Sequence, residues 1–278
     1  MTTDAAPLPA AAPGRWFSPN PDKAWGEKFF LAYTPIWMAA FGVVQRTRIG
    51  DAFGDLGNLG LMLAIFAPVW LVPALLHQGQ VGARHWYESY WFKFNLWIFI
   101  YAWVGSYFFS EYFFDVMGMV YNYPHLHWTF DSTLLGSGKQ VVPLIMYLNA
   151  HYFFLTYHST AVVVMRRVRT SPLNVHWLVP VTTVAIVAWF WAWAELFFTT
   201  APGIADQFRY QDMSWALRWG ALFYACYFVV SFPMVYRLDE TADQPWSLGR
   251  TCIDALAAGM GSFILLDLVA KVVGARYR

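Results

Sequence analysis

The residues best able to do chemistry in this sequence are ionisable groups stranded in apolar surroundings. Glu195 closes the run Trp189-Phe190-Trp191-Ala192-Trp193-Ala194-Glu195. A carboxyl kept neutral by such a setting can deliver a proton near neutral pH, which suits a general acid. The plainer role for it is a helix-to-helix hydrogen bond. His151 and His158 stand two helical turns apart, so they share a face with Tyr147 and Phe154. A single such histidine is usually a hydrogen-bonded interior residue. Two on one stripe, beside Tyr147 and Asn149, point to proton transfer. Haem ligation usually draws its histidines from different helices, and no matching partner pattern occurs, so metal binding is the weaker reading and no metal is expected.

Glu111 follows Tyr107 by one turn, a spacing for a proton relay; its alternative is an interfacial carboxylate near the end of a long helix. Asp115 lies nearer that end and is expected to be solvated. Asp254 opens an apolar run, where the helix dipole favours negative charge. Asp267 precedes Lys271 by four residues, a local ion-pair spacing. Tyr224, Tyr227 and Ser231 form one stripe, and Trp191 lies one turn from Glu195. Aromatic faces around these donors suit a flat hydrocarbon and stabilise a carbocation.

These groups must be carried by membrane helices. Of 278 residues, 58% are hydrophobic and 20% aromatic, and only 13% are charged, against about 25% charged in a typical soluble chain. A bilayer-spanning helix needs about 20 mostly apolar residues. Seven stretches qualify: Phe29–Val44, Leu56–Leu76, Phe94–Gly118, Val141–Val164, Val175–Thr199, Trp215–Val235 and Cys252–Val273. The expected fold is all-α, a polytopic transmembrane bundle of about seven spans in one domain over 23–278. It follows a disordered Ala- and Pro-rich tail at 1–22. An ionisable group at mid-bilayer costs about 2.5–3.5 kcal/mol, so those inside the spans are candidates for function.

Lysines and arginines divide almost evenly between the two sides. The cluster Arg166, Arg167 and Arg169 is the sharpest orientation signal, and it places the N-terminus with it in the cytoplasm. Ala255 with Gly259, and Ala257 with Gly261, allow close helix approach. Cys226 and Cys252 read as small core residues. The net charge of +1 offers no field for nucleic acid; the expected partner besides substrate is the bilayer. An Ala-, Arg- and Trp-rich style suggests a GC-rich bacterial gene and an inner membrane, with the endoplasmic reticulum as the eukaryotic counterpart.

Four blocks carry a resemblance. The run from Ala221 to Met234, ending Tyr236-Arg237-Leu238-Asp239-Glu240, strongly resembles the signature of the cycloeucalenol cycloisomerase family, cyclopropyl sterol isomerases best known from plants. Trp25-Gly26-Glu27-Lys28-Phe29-Phe30 with Tyr33-Thr34-Pro35, Tyr90-Trp91-Phe92-Lys93-Phe94-Asn95-Leu96-Trp97-Ile98, and Tyr157-His158 leading to Arg166-Arg167 are similar too. The likeness runs from about Trp25 to Lys271. It implies opening of the 9β,19-cyclopropane ring of a 4α-methyl sterol to a Δ8 sterol, without a cofactor. Protonation at C19 leaves a tertiary cation at C9, and loss of the C8 proton forms the double bond. The site needs an acid, a base, aromatic walls and exclusion of water.

On this reading Glu195 and Glu111 include the acid, and His151 or His158 is base or relay. Asn95, Tyr107, Tyr147, Trp191, Tyr224 and Tyr227 are candidates for holding the substrate. Two departures stand out. Glu111 occurs where plant members carry a histidine, and the loop Tyr121–Gln140 is longer, suggesting a lid or altered entry. The rival readings are a sterol double-bond isomerase and a non-catalytic sterol or lipid binder. A retinal photoreceptor is excluded because Lys271, the only lysine of the last span, sits at its very end.

Overall fold

A computed structural model of the chain describes residues 14–77 and 85–278. Helix α1 (Pro21–Thr47) starts where the Asn20 side chain accepts from the Asp22 amide and Pro21 takes the first helical position. It continues unbroken past Pro35. The second expected span is two helices, α2 (Asp55–Phe66) and α3 (Pro68–Leu76), because Pro68 lacks the amide that would continue the ladder. Helix α4 (Tyr90–Val104) passes without a break into a π turn (Gly105–Phe109), a single α turn, α5 (Ser110–Tyr112), and a second π turn (Phe113–Met117). Strand β1 (Met119–Tyr121) follows, then α6 (Ile145–Arg169), α7 (Leu178–Thr199), strand β2 (Phe208–Tyr210), α8 (Met213–Tyr236) and α9 (Leu248–Val273).

The fold is an all-α bundle. Among the described residues, four helical stretches are long and apolar enough to cross a membrane: Asp55–Leu76, α7, α8 and α9. Helix α8 packs along α7 and α9, α9 and α6 both pack on α4, and α1 lies on α6. Small residues set the closest approaches. A Cβ on Gly220 would come within 2.7 Å of Leu196 across the α7–α8 contact, and one on Gly259 within 3.0 Å of Val104. Both cysteines are free. Strands β1 and β2 pair antiparallel, Met119 with Tyr210 and Tyr121 with Phe208, and close one end of the bundle.

The opposite end is held by charge. Arg166 is fully buried and forks onto two carboxylates, with Nη2 donating to Glu27 Oε1 at 2.6 Å and to Glu240 Oε2 at 2.7 Å. Lys23, also buried, donates to the carbonyls of Tyr236 and Leu238 and pairs with Glu240 at 2.9 Å. Burial alone would raise the Glu240 carboxyl, but hydrogen bonds from Arg166 and the Lys23 charge outweigh it and hold it below its ordinary value. Lys93 pairs with Asp239, whose other oxygen accepts from the Trp246 amide at 2.7 Å. Arg166 is therefore spent inside the protein and is no exposed orientation signal.

The first thirteen residues of the expected tail lie outside the described residues. Residues 14–20 run against this charged end, with the Ser18 amide donating to Glu27 at 3.0 Å and Arg166 to the Trp16 carbonyl at 3.0 Å. Asp115, expected to be solvated, is buried and accepts from Ser137 Oγ at 2.6 Å, because the chain after the second π turn folds back over it. Asp267 pairs with Lys271 at 3.0 Å. Asp254 accepts from Trp97 Nε1 and from Arg237, each at 3.0 Å.

Candidate active site

A cavity of about 390 Å³ lies between α1, α6, α7, α8 and the π turns, under the β1–β2 pair. That volume falls in the usual range for small-molecule sites. Its walls are mostly aromatic, with Trp37 from α1, Phe153 and Phe154 from α6, Phe113 from the second π turn, and Tyr224 and Tyr227 from α8. Met38 and Gly42 on α1 and Phe198 on α7 line the cavity and are also exposed on the flank of the bundle. The cavity therefore opens sideways between α1 and α7.

Glu195 is the one carboxyl among the described lining residues, and no imidazole joins it. It sits in the last turns of α7, and its Oε2 accepts a hydrogen bond from Tyr157 of α6. Tyr157 is buried and packs its ring against Trp191, centroids 4.6 Å apart. The carboxyl is thus held by one oxygen while the other is left to the cavity. Beside it runs a hydroxyl chain, Thr199 to Tyr210 at 3.3 Å and Tyr210 to Tyr224 at 3.4 Å. Tyr224 and Phe113 rings lie 4.5 Å apart, which makes a continuous aromatic face.

The other expected site residues lie elsewhere. On α6 the cavity stripe is Met146, Asn149, Ala150, Phe153 and Phe154, followed by Tyr157 at its inner end. His151 and His158 occupy the neighbouring stripe, His151 facing α4 and His158 facing α4 and α8. His151 Nε2 meets Asn95 Oδ1 at 3.1 Å, and Asn95 donates to the Val69 carbonyl at 3.0 Å. The Asn95 oxygen can only accept, so the proton of His151 is on Nε2. His158 donates from Nδ1 to the Phe154 carbonyl at 2.7 Å, and its Nε2 meets Ser231 Oγ at 2.8 Å. Both rings are enclosed by aromatics, His151 by Phe66 and Trp70, His158 by Trp97 and Phe232.

Glu111 does not reach the cavity. The preceding π turn re-phases the helix, and the carboxylate lies over Gly136, whose φ of 80° and missing Cβ make room for it. No hydrogen bond joins Glu111 to Tyr107; the Tyr107 ring packs on Phe130. Tyr147 donates to the Phe130 carbonyl at 2.5 Å, and Trp191 backs Tyr157 without lining the cavity. Of the ten candidates, Glu195, Tyr224 and Tyr227 line it. Tyr157 is the residue that sequence reasoning passed over; its place beside His158 in a resemblance block was the available signal. Among the described residues no three His, Cys, Asp or Glu side chains gather as a metal site.

Five charged residues of the resemblance blocks, Glu27, Lys93, Arg166, Asp239 and Glu240, sit in the ionic clamp and not at this cavity. The chain matches no protein-family model and no solved structure. It is 36% identical over 270 residues to cycloeucalenol cycloisomerase of Arabidopsis thaliana, an alignment covering 95% of this chain and 91% of the plant protein. With that identity along nearly its whole length, the chain belongs to the cycloeucalenol cycloisomerase family.

Proposed function

We propose that this protein, a membrane-bound isomerase of sterol biosynthesis, opens the 9β,19-cyclopropane ring of a 4α-methyl sterol in the cavity, with Glu195 as the acid. The observation that carries the reading is a single carboxyl facing an otherwise aromatic and hydroxylic space. Glu195 donates its proton to C19, the C9–C19 bond breaks, and the positive charge rests on C9. The π faces of Tyr224, Tyr227, Phe113 and Phe154 stabilise that cation; a desolvated cation–π contact contributes about 2 kcal/mol. The carboxylate left behind is the nearest base, and it takes the C8 proton as the Δ8 bond forms. One group thus serves as acid and then base, and the cycle returns it to its starting state.

On this reading His151 holds α6 on α4, His158 holds it on α8, and neither carries a proton to the substrate. The sideways opening between α1 and α7 lets a sterol enter from the bilayer without crossing water. The passes α1, α4–α5 and α6 also cross, which completes seven spans, with the clamp end and the N-terminus in the cytoplasm.

Purified protein in vesicles should convert a 9β,19-cyclopropyl 4α-methyl sterol in deuterated water to a Δ8 product, read by mass spectrometry, with deuterium at C19 where Glu195 exchanges with solvent between turnovers and the recycled C8 proton there where it does not. No conversion of the 4α-methyl or 4,4-dimethyl substrate rejects ring opening. The same assay run across pH separates one proton-transfer group from two. A single carboxyl in both roles gives a kcat/KM profile with one limb, activity falling as pH rises. An independent acid and base give a bell. His151→Gln and His158→Gln should each keep turnover within about tenfold; a loss of about a hundredfold or more, typical of a removed general base, returns the base role to histidine.

A further inference from the structure

The cavity has two chemically different ends. At the inner end is Glu195. At the outer end it runs into a smaller chamber of about 50 Å³, and the two share Phe41, Gln45, Tyr123, Met146 and Asn149. Apart from the His125 ring, the polar side chains deeper in that chamber are largely paired. Asn58 donates to the Gly50 and Phe53 carbonyls at 2.9 Å each, Gln207 donates to Asp51 at 3.0 Å, and Asp51 is held by Arg48 at 2.7 Å.

Two amides on the shared wall are not. The Gln45 side chain makes no hydrogen bond to any described residue. Asn149 Oδ1 accepts from the Tyr152 hydroxyl at 2.6 Å, which fixes the amide's orientation. Its NH₂ is left with only the Met146 sulfur at 3.9 Å, a weak acceptor.

An oriented amide donor beside a free amide acceptor is what a ligand hydroxyl requires, since it accepts one hydrogen bond and donates another. Resting on the sterol reading of the cavity, we infer that Gln45 and Asn149 form the subsite for the substrate's 3-hydroxyl. Asn149 Nδ2 donates to the hydroxyl oxygen, and the hydroxyl donates to Gln45 Oε1. Asn149 precedes Tyr157, the partner of Glu195, by about two turns of α6, about 12 Å of helix. A hydroxyl held at the amides therefore directs the inner rings of the same fused nucleus toward the carboxyl. Both amides lie near the closed end of the bundle, Gln45 within the last turn of α1 and Asn149 in the second turn of α6. A sterol in a bilayer keeps its hydroxyl at the interface, so it enters between α1 and α7 without turning over.

The test compares a 3β-hydroxy with a 3-deoxy 9β,19-cyclopropyl sterol, in the wild-type protein and in Gln45→Leu and Asn149→Leu. Wild type should favour the hydroxysterol at least about tenfold in kcat/KM, mainly through KM, the size of one well-made hydrogen bond. Each variant should lose most of that preference while handling the 3-deoxy sterol unchanged. Gln45→Leu breaks no existing hydrogen bond, so its result stands if Asn149→Leu folds poorly. An undiminished preference in Gln45→Leu, or no preference in wild type, overturns the subsite. The same preference is read independently from quenching of tryptophan fluorescence by the two sterols, since Trp37 lines the cavity. If no cyclopropyl sterol is turned over, ring opening fails, and this binding ratio decides the subsite by itself.

Discussion

Glu195→Gln is expected to fold, bind sterol and isomerise it at least about a thousandfold more slowly than wild type, the upper range for loss of a positioned acid. Glutamine matches the shape, and its amide oxygen still accepts from Tyr157, so the α6–α7 contact survives. What disappears is the transferable proton. Because the same group is proposed to take the C8 proton, both halves of the reaction are lost together, and the fall appears in kcat with KM little changed. Tyr157→Phe is the graded companion. It removes the donor on Oε2 and leaves the carboxyl in place, so a loss of about 10- to 100-fold is expected, the worth of one hydrogen bond to a charged group. Initial rates in vesicles measure both. Turnover of Glu195→Gln within tenfold of wild type would reject Glu195 as the acid.

The largest effect on stability belongs to Arg166. Its guanidinium is wholly enclosed and satisfies Glu27, itself fully buried, together with Glu240. Arg166→Met fills similar volume but leaves two carboxylates facing each other with only Lys23 to share. Removing one partner of a buried ion pair costs about 3–5 kcal/mol, mostly from the charge left behind. Denaturant unfolding in mixed micelles should show a loss of that size. Joint replacement of Arg166, Glu27, Glu240 and Lys23 by apolar residues should recover much of it, since no orphaned buried charge of either sign remains at that centre. A single replacement costing under about 1 kcal/mol, in the range of exposed pairs, would mean that water reaches the cluster.

These two centres explain what could be read from the chain alone. Apolar runs locate α7, α8 and α9 because lipid imposes helix and length together. Glu195 stands out in sequence because tryptophans surround it, and Asp267 with Lys271 is legible because both lie on one helix. Tyr157 was not legible as the partner of Glu195, since a contact between two helices leaves no local spacing. His151 and His158 do share a stripe, but periodicity cannot say which neighbour a stripe faces, and here it faces α4 and α8. Glu27, Lys93, Arg166, Asp239 and Glu240 are scattered along the chain and look like separate motif residues. Only folding brings them to one end, where they lock helix termini together. The recognisable blocks thus serve both ends: these five charged residues hold the bundle, while Tyr157, Tyr224 and Tyr227 lie at the proposed chemistry.

The two π turns between Gly105 and Met117 carry one further consequence, for how the gene can change. Each holds one residue more than an α turn, so deleting a single codon within Gly105–Phe109 would leave an ordinary continuous helix. The extra residue is absorbed within the turn, so the helix beyond it keeps its phase. Phe113 would stay on the cavity wall, and Glu111 would keep its seat over Gly136. A single-residue deletion inside the π turn should therefore be far better tolerated than one in the regular turns of α4, where everything beyond would rotate by about 100°.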